Sequence, residues 1–165
     1  MRRLVTIVTL CMAVLASIPA WGDSPKYHSA DPNFDPATAC YSVKLVETGL
    51  GNSGFSSLTY TLSCSASFSA TCVTKNGKNF VQGTPKSGSG QASTQTVLDV
   101  RNGGTRGTVT LCPSSFTLPD PGCSGSQKLY IISAHYSNCT LNDSLGTASP
   151  PLSDLGGDNL FILVP

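Results

Sequence analysis

Between Leu58 and Cys72 the chain reads L-T-Y-T-L-S-C-S-A-S-F-S-A-T-C, with Leu, Tyr, Cys, Ala or Phe at every even position and Ser or Thr at every odd one. Only a β-strand sorts side chains with period 2, because successive Cβ atoms point to opposite faces of a sheet. One face is apolar and carries Cys64 and Cys72, while the other is a row of hydroxyls suited to water. The run is longer than a usual strand of about 3 to 10 residues. The expectation is one long bent strand, or two strands joined near Ser65 and Ala66.

The N-terminus has the parts of a secretory signal peptide. Arg2 and Arg3 precede an apolar run from Leu4 to Ile18, and small residues stand at Ala20 and Gly22. The run is shorter than the roughly 20 residues that span a bilayer. Cleavage is placed after Gly22, with Ala20 as the alternative, which predicts a secreted, extracellular protein without membrane insertion. Removing residues 1–22 from 165 leaves 143, enough for one domain. Arg2 and Arg3 leave too, so ten Lys plus Arg become eight against nine Asp plus Glu, and no basic stripe remains for nucleic acid.

Cys11 departs with the signal and leaves Cys40, Cys64, Cys72, Cys112, Cys123 and Cys139. An even set in a small exported domain predicts three disulfides. A zinc site is disfavoured by the absence of any C-x-x-C pair and by the presence of only two histidines, His28 and His135. Cys64 and Cys72 are not expected to pair, since a continuous strand separates them by about 3.3 Å per residue.

Residues 23–39 hold Pro25, Pro32 and Pro36 without an apolar period and read as an extended N-terminal arm, so the domain is taken as 40–165. Tyr41, Val43 and Leu45 mark a first strand. Asn76-Gly77 predicts a two-residue hairpin with Val73 opposite Phe80, Cys72 opposite Val81 and Lys75 opposite Lys78. Residues 83–93, rich in Gly and Ser, read as a mobile loop. Thr94–Arg101 and Thr105–Cys112 form a second hairpin around Asn102-Gly103-Gly104, and 113–126 is a long surface connection. A later strand runs from Leu129 toward Leu141, and Leu160–Val164 closes the domain. Seven to nine strands without helical periodicity predict an all-β fold, an immunoglobulin-like antiparallel β-sandwich stabilised by disulfides. The core Trp of true immunoglobulin domains is missing, since Trp21 lies in the signal region.

Acid and base chemistry has little support. Glu47 is the sole Glu, most Asp residues sit beside Pro or Gly, and nothing in the spacing nominates the carboxylate pair that glycoside hydrolysis requires. His135 shares parity with Ile131, Ser133 and Cys139, which assigns it to a core margin and leaves no convincing triad. No phosphate loop or diagnostic calcium spacing occurs, and no cofactor is implied. Asn138-Cys139-Thr140 and Asn142-Asp143-Ser144 match the N-glycosylation sequon. Phe55, Phe80, Phe116 and Tyr136 are the aromatics available either to a binding surface or to the core.

Cys72 to Asn79, together with Cys123-Ser124-Gly125-Ser126-Gln127 and Tyr136-Ser137-Asn138, resembles a pattern of small secreted microbial β-proteins. In that family a Cys precedes an N-x-G-G-N turn, a C-P-x-G-Q segment opens a late strand, and Y-[ST]-N follows. The likeness covers roughly residues 57–143, with Lys78 in place of a Gly and Ser124 in place of a Pro. It implies export, an all-β fold and a Cys72–Cys123 bridge, and it carries no activity. Such a bridge would gather Lys75, Asn76, Lys78, Asn79, Phe116, Asp120 and Gln127 into one loop rim. The expected function is non-catalytic extracellular binding to a glycan or protein surface, effector-like in kind. A carbohydrate-binding module is the first alternative and a small secreted hydrolase the second. Oligomeric state is not set by the sequence.

Overall fold

In the computed structural model, which describes residues 24–51, 54–76 and 79–165, the chain forms eight strands. They are β1 (Lys26–Asp35), β2 (Cys40–Thr48), β3 (Ser57–Asn76), β4 (Asn79–Gln82), β5 (Lys86–Arg101), β6 (Gly104–Leu111), β7 (Lys128–Asp143) and β8 (Leu155–Leu163). The expected signal peptide at 1–22, Gly77 and Lys78 lie outside the described residues, as do the side chains of Asn76 and Asn79. Every pairing is antiparallel, in the order β1-β2-β6-β5-β3-β7-β8 with β4 beside β3. The β5–β6 connection joins only at Val100↔Thr105 and Arg101↔Gly104, so the β1-β2-β6 layer folds across the β5-β3-β7-β8 layer. The result is the expected disulfide-stabilised antiparallel sandwich.

The alternation from Leu58 to Cys72 lies within one strand. Leu58, Tyr60, Leu62, Cys64, Ala66, Phe68, Ala70 and Cys72 are all buried. Those from Leu58 to Phe68 share one core with Tyr41, Val43 and Leu45 of β2 and Val109 and Leu111 of β6. Tyr136 of β7 is central: its ring lies 5.5 Å from that of Tyr41 and 5.9 Å from that of Phe68, and its hydroxyl donates to the Ala39 carbonyl at 2.8 Å. A fully buried Tyr retains its place only if that hydroxyl finds a partner.

Three bridges staple the fold: Cys40–Cys112 between the neighbouring β2 and the end of β6, Cys64–Cys139 between the neighbouring β3 and β7, and Cys72–Cys123 between β3 and the long connection. The last is the bridge that the resemblance implied. Cys64 and Cys72 remain unlinked to each other, as one continuous strand requires. Disulfides persist in oxidising compartments, and three of them fit an extracellular protein. Among the described residues no helix is long and apolar enough to cross a membrane.

Four expectations need correction. The arm at 23–39 contains β1, which pairs with β2 from Tyr27↔Glu47 to Asp35↔Cys40 and packs Tyr27, Ala30 and Phe34 on the core, so the ordered fold begins before Cys40. Pro32 is tolerated because β1 has only one sheet neighbour, β2. The expected mobile loop at 83–93 is largely β5, paired with β3 from Ala70↔Lys86 onward. Its glycines lie against the long connection: a Cβ on Gly88 would stand 3.4 Å from Pro119 and one on Gly90 3.9 Å from Phe116, ordinary contact distances. The first hairpin is paired as Val73↔Gln82, Lys75↔Phe80 and Asn76↔Asn79, so the residue opposite Lys75 is Phe80 and not the predicted Lys78. His135 is exposed and does not lie at a core margin. The second hairpin does turn at Asn102-Gly103, where φ is 51° and 72°, the left-handed pair a type I′ turn demands.

Candidate functional site

The two ends of β3 carry different chemistry. At the C-terminal end Thr71, Cys72 and Val73 are buried in succession, so both faces of the strand are covered there. The outer cover is aromatic. Tyr130 of β7 stacks on Phe161 of β8 with ring centroids 4.3 Å apart, and Phe80 of β4 meets Phe161 edge-on at 5.7 Å. This cover is itself open to solvent, with Phe80 56% and Phe161 50% exposed and Val81 and Leu163 beside them. A depression of about 290 Å³ is lined by Val73, Lys75, Phe80, Ser126, Lys128 and Tyr130. The end therefore presents apolar rings with Lys75 and Lys128 close by.

The Cys72–Cys123 bridge ties this end to the long connection, but the expected rim is only partly assembled. Lys75 is exposed and lies opposite Phe80. Asn76 and Asn79 pair through their backbones, and Lys78 lies outside the described residues. Asp120 and Gln127 shape turns: Asp120 Oδ1 accepts from the Gly122 N–H at 2.8 Å, and Gln127 Oε1 accepts from the Ser124 N–H at 3.1 Å. Phe116 is no rim residue. It is buried, with its ring 5.1 Å from that of Phe68 and 5.8 Å from that of Tyr136. Among the other aromatics Tyr136 is core and Phe55 is exposed. Sequence reasoning missed Tyr130 and Phe161. Tyr130 was visible on one face of a strand apolar on both, whereas Phe161 acquires its role only from the pairing of β7 with β8.

At the other end of β3, polar groups are buried. The register sets Tyr27 opposite Glu47 and Glu47 opposite Thr105 in one layer, and Tyr60 opposite Asp143 in the other. Glu47 follows Tyr41, Val43 and Leu45 on the inward face of β2 and is fully buried. The Tyr60 hydroxyl donates to Glu47 Oε2 at 2.5 Å, and Asp143 Oδ1 accepts from the N–H groups of Leu145 and Thr147 at 2.9 and 2.7 Å. Four buried side-chain oxygens here have no hydrogen-bond partner: the Tyr27 hydroxyl, Glu47 Oε1, Thr105 Oγ1 and Asp143 Oδ2. Burial raises the Glu47 carboxyl to about 7, the Tyr60 hydrogen bond opposes the rise, and the neighbouring Asp143 carboxyl adds to it. Burial likewise pushes the Tyr27 and Tyr60 hydroxyls far above the usual phenol range.

The sequence nominated no carboxylate pair, yet the fold buries Glu47 and Asp143 beside Tyr60, which donates to the first and pairs in register with the second. Glycoside hydrolysis needs two carboxyl groups that a saccharide can reach, and both of these are buried. On the surface His135 Nε2 lies 2.9 Å from Asp158 Oδ1, both well exposed. Asn138 and Asn142 are exposed, with the Asn138 N–H donating to Asp154 Oδ1 at 3.1 Å. No group of three or more His, Cys, Asp or Glu residues able to hold a metal occurs among the described residues. No protein-family model matches the chain, and no curated protein matches it.

Proposed function

We propose that the chain is a secreted, non-catalytic binding protein that engages a protein surface outside the cell through the aromatic end of β3. The observation that carries this reading is the half-exposed cluster of Phe80, Phe161 and Tyr130 flanked by Lys75 and Lys128. Aromatic side chains bury large area at low entropic cost and dominate interface hot spots. Lysines beside them favour a partner with carboxylates around an apolar anchor. A protein partner is preferred to a glycan because Tyr130 and Phe161 spend ring faces on each other and do not form a row of open platforms. Three disulfides support persistence outside the cell.

A photoreactive residue at Leu163, which is exposed beside the cluster, should cross-link the native protein to a surface protein, and Phe161→Ala should abolish the cross-link. Binding to a glycan array that Phe161→Ala eliminates would select the carbohydrate-binding alternative. Turnover abolished by His135→Ala would select the hydrolase.

A further inference from the structure

The buried end of β3 has no part in surface binding, and its polar groups call for their own account. Glu47 and Asp143 are each half satisfied: Glu47 Oε2 accepts from Tyr60 and Asp143 Oδ1 accepts from two backbone N–H groups, while Glu47 Oε1 and Asp143 Oδ2 are left without a donor. The two carboxyl groups come from opposite layers and converge on Tyr60, whose hydroxyl donates to Glu47 and which stands opposite Asp143 in register. Two ionised carboxylates cannot hydrogen-bond to each other, because each only accepts. The geometry points to one proton held between Glu47 and Asp143, a single proton-binding site that closes this end of the sandwich by joining β2 to β7.

The surroundings favour that assignment. The groups facing Glu47 are the Tyr27 hydroxyl from β1, the Tyr60 hydroxyl from β3, Thr105 Oγ1 from β6 and the Asp143 carboxyl from β7. None of these is a cation. A depression lined by Glu47 and Thr105 is lined also by Asp99, Arg101 and Arg106; both arginines are exposed, and Arg101 lies 3.3 Å from Asp99. Like charges in a shared buried site keep one proton between them. One proton bound through Glu47 Oε1–H to Asp143 Oδ2 satisfies both unpartnered oxygens at once and leaves one negative charge, which Tyr60 and the Leu145 and Thr147 N–H groups already stabilise.

The pH dependence follows. The Glu47 carboxyl rises from 4.5 to about 7 on folding, so between those values the folded protein holds a proton that the unfolded chain has released. The stabilisation is fully present below pH 4.5 and is lost as pH rises through 7. The folded-to-unfolded ratio should fall on the order of a hundredfold across this window.

Urea unfolding of the native, disulfide-intact protein between pH 4.5 and 8.5 tests the site. Glu47→Gln keeps the acceptor for Tyr60 and supplies an amide donor toward Asp143, so it should flatten the fall between pH 5 and 7.5. Asp143→Asn, which retains the acceptor for Leu145 and Thr147, should reduce the fall without abolishing it, because Glu47 stays buried. Infrared difference spectra should show a protonated carboxyl at pH 6 that disappears in Glu47→Gln. If either variant fails to fold, the wild-type infrared band and the other variant decide. A wild-type slope preserved in both variants, or no protonated carboxyl at pH 6, would overturn the proposal. So would stabilisation by calcium at pH 6 that Glu47→Gln removes, since the pair would then hold a cation.

Discussion

The two ends of β3 break the inside-outside rule in opposite directions. Around Tyr60 the fold buries two carboxyl groups, two phenols and a threonine hydroxyl; beyond Cys72 it leaves Phe80, Val81, Phe161 and Leu163 exposed to water. Tyr60 and Val73 are about 40 Å apart along the strand, at roughly 3.3 Å per residue. The difference teaches where each end draws its stability. The polar end depends on hydrogen bonds and a proton, whereas the aromatic end depends on a disulfide and on contacts that a partner can complete.

Reduction should have the largest effect and erase the comparison. Each native bridge in a small secreted domain contributes about 2 to 5 kcal/mol, so reducing all three should unfold both ends together, seen as loss of the near-ultraviolet circular dichroism. Replacing only Cys72 and Cys123 by Ser should sharpen the contrast. Amide exchange should accelerate from Phe116 to Gln127 while the backbone around Glu47 stays protected. Equal acceleration at both ends would show that the ends unfold as one unit.

Phe116→Ala comes next. The ring lies between Phe68, Tyr136 and the glycines of β5, and truncating a buried Phe costs about 3 to 5 kcal/mol. A loss below about 1 kcal/mol in urea unfolding would restore Phe116 to the binding rim.

That correction marks what was legible in the sequence. β3 keeps its own side-chain alternation unbroken, so the buried set from Leu58 to Cys72 could be read from period 2 alone. β7 does not. Register shifts opposite Ser69/Ala70 and Ser63/Ser65 turn its inward set from Ile131 to Ala134 and Tyr136, and then to Cys139, Leu141 and Asp143. Each irregularity reverses the faces, so parity carried His135 to the wrong side and could not bring Asp143 toward Glu47. Inward Glu47 was visible on the Tyr41-Val43-Leu45 face, but its partners come from four other strands. β5 was hidden for another reason. Gly and Ser signal loops when read locally, and what makes this segment a strand is its pairing with β3, from Ala70↔Lys86 to Ser57↔Asp99, which a local reading does not see.

Tyr60→Phe probes the polar end with a smaller change. Removing the hydroxyl deprives Glu47 Oε2 of its donor, which should cost about 1 to 3 kcal/mol. The loss should be larger at pH 8 than at pH 5, because above about 7 Glu47 is ionised and the bond is charge-assisted. Urea unfolding at both values checks the sign; an equal cost would mean that Glu47 holds one protonation state throughout.

The smallest stability effect belongs to Phe161→Ala. Half the ring is already in water, and its contacts are with Tyr130 and Phe80 on the outer face, away from the core around Tyr136. Losing it should cost about 1 kcal/mol or less, in the range of an exposed aromatic pair, and should leave the pH dependence at the Glu47 end untouched. The same ring at the centre of an interface would be worth 2 kcal/mol or more to binding, roughly thirtyfold in Kd. Measuring unfolding and partner affinity on one variant separates the two roles. A large affinity loss with a near-native melting temperature identifies an aromatic surface kept for a partner. A large stability loss with unchanged affinity would make Phe161 a cover for Thr71 and Val73 and move the binding surface elsewhere.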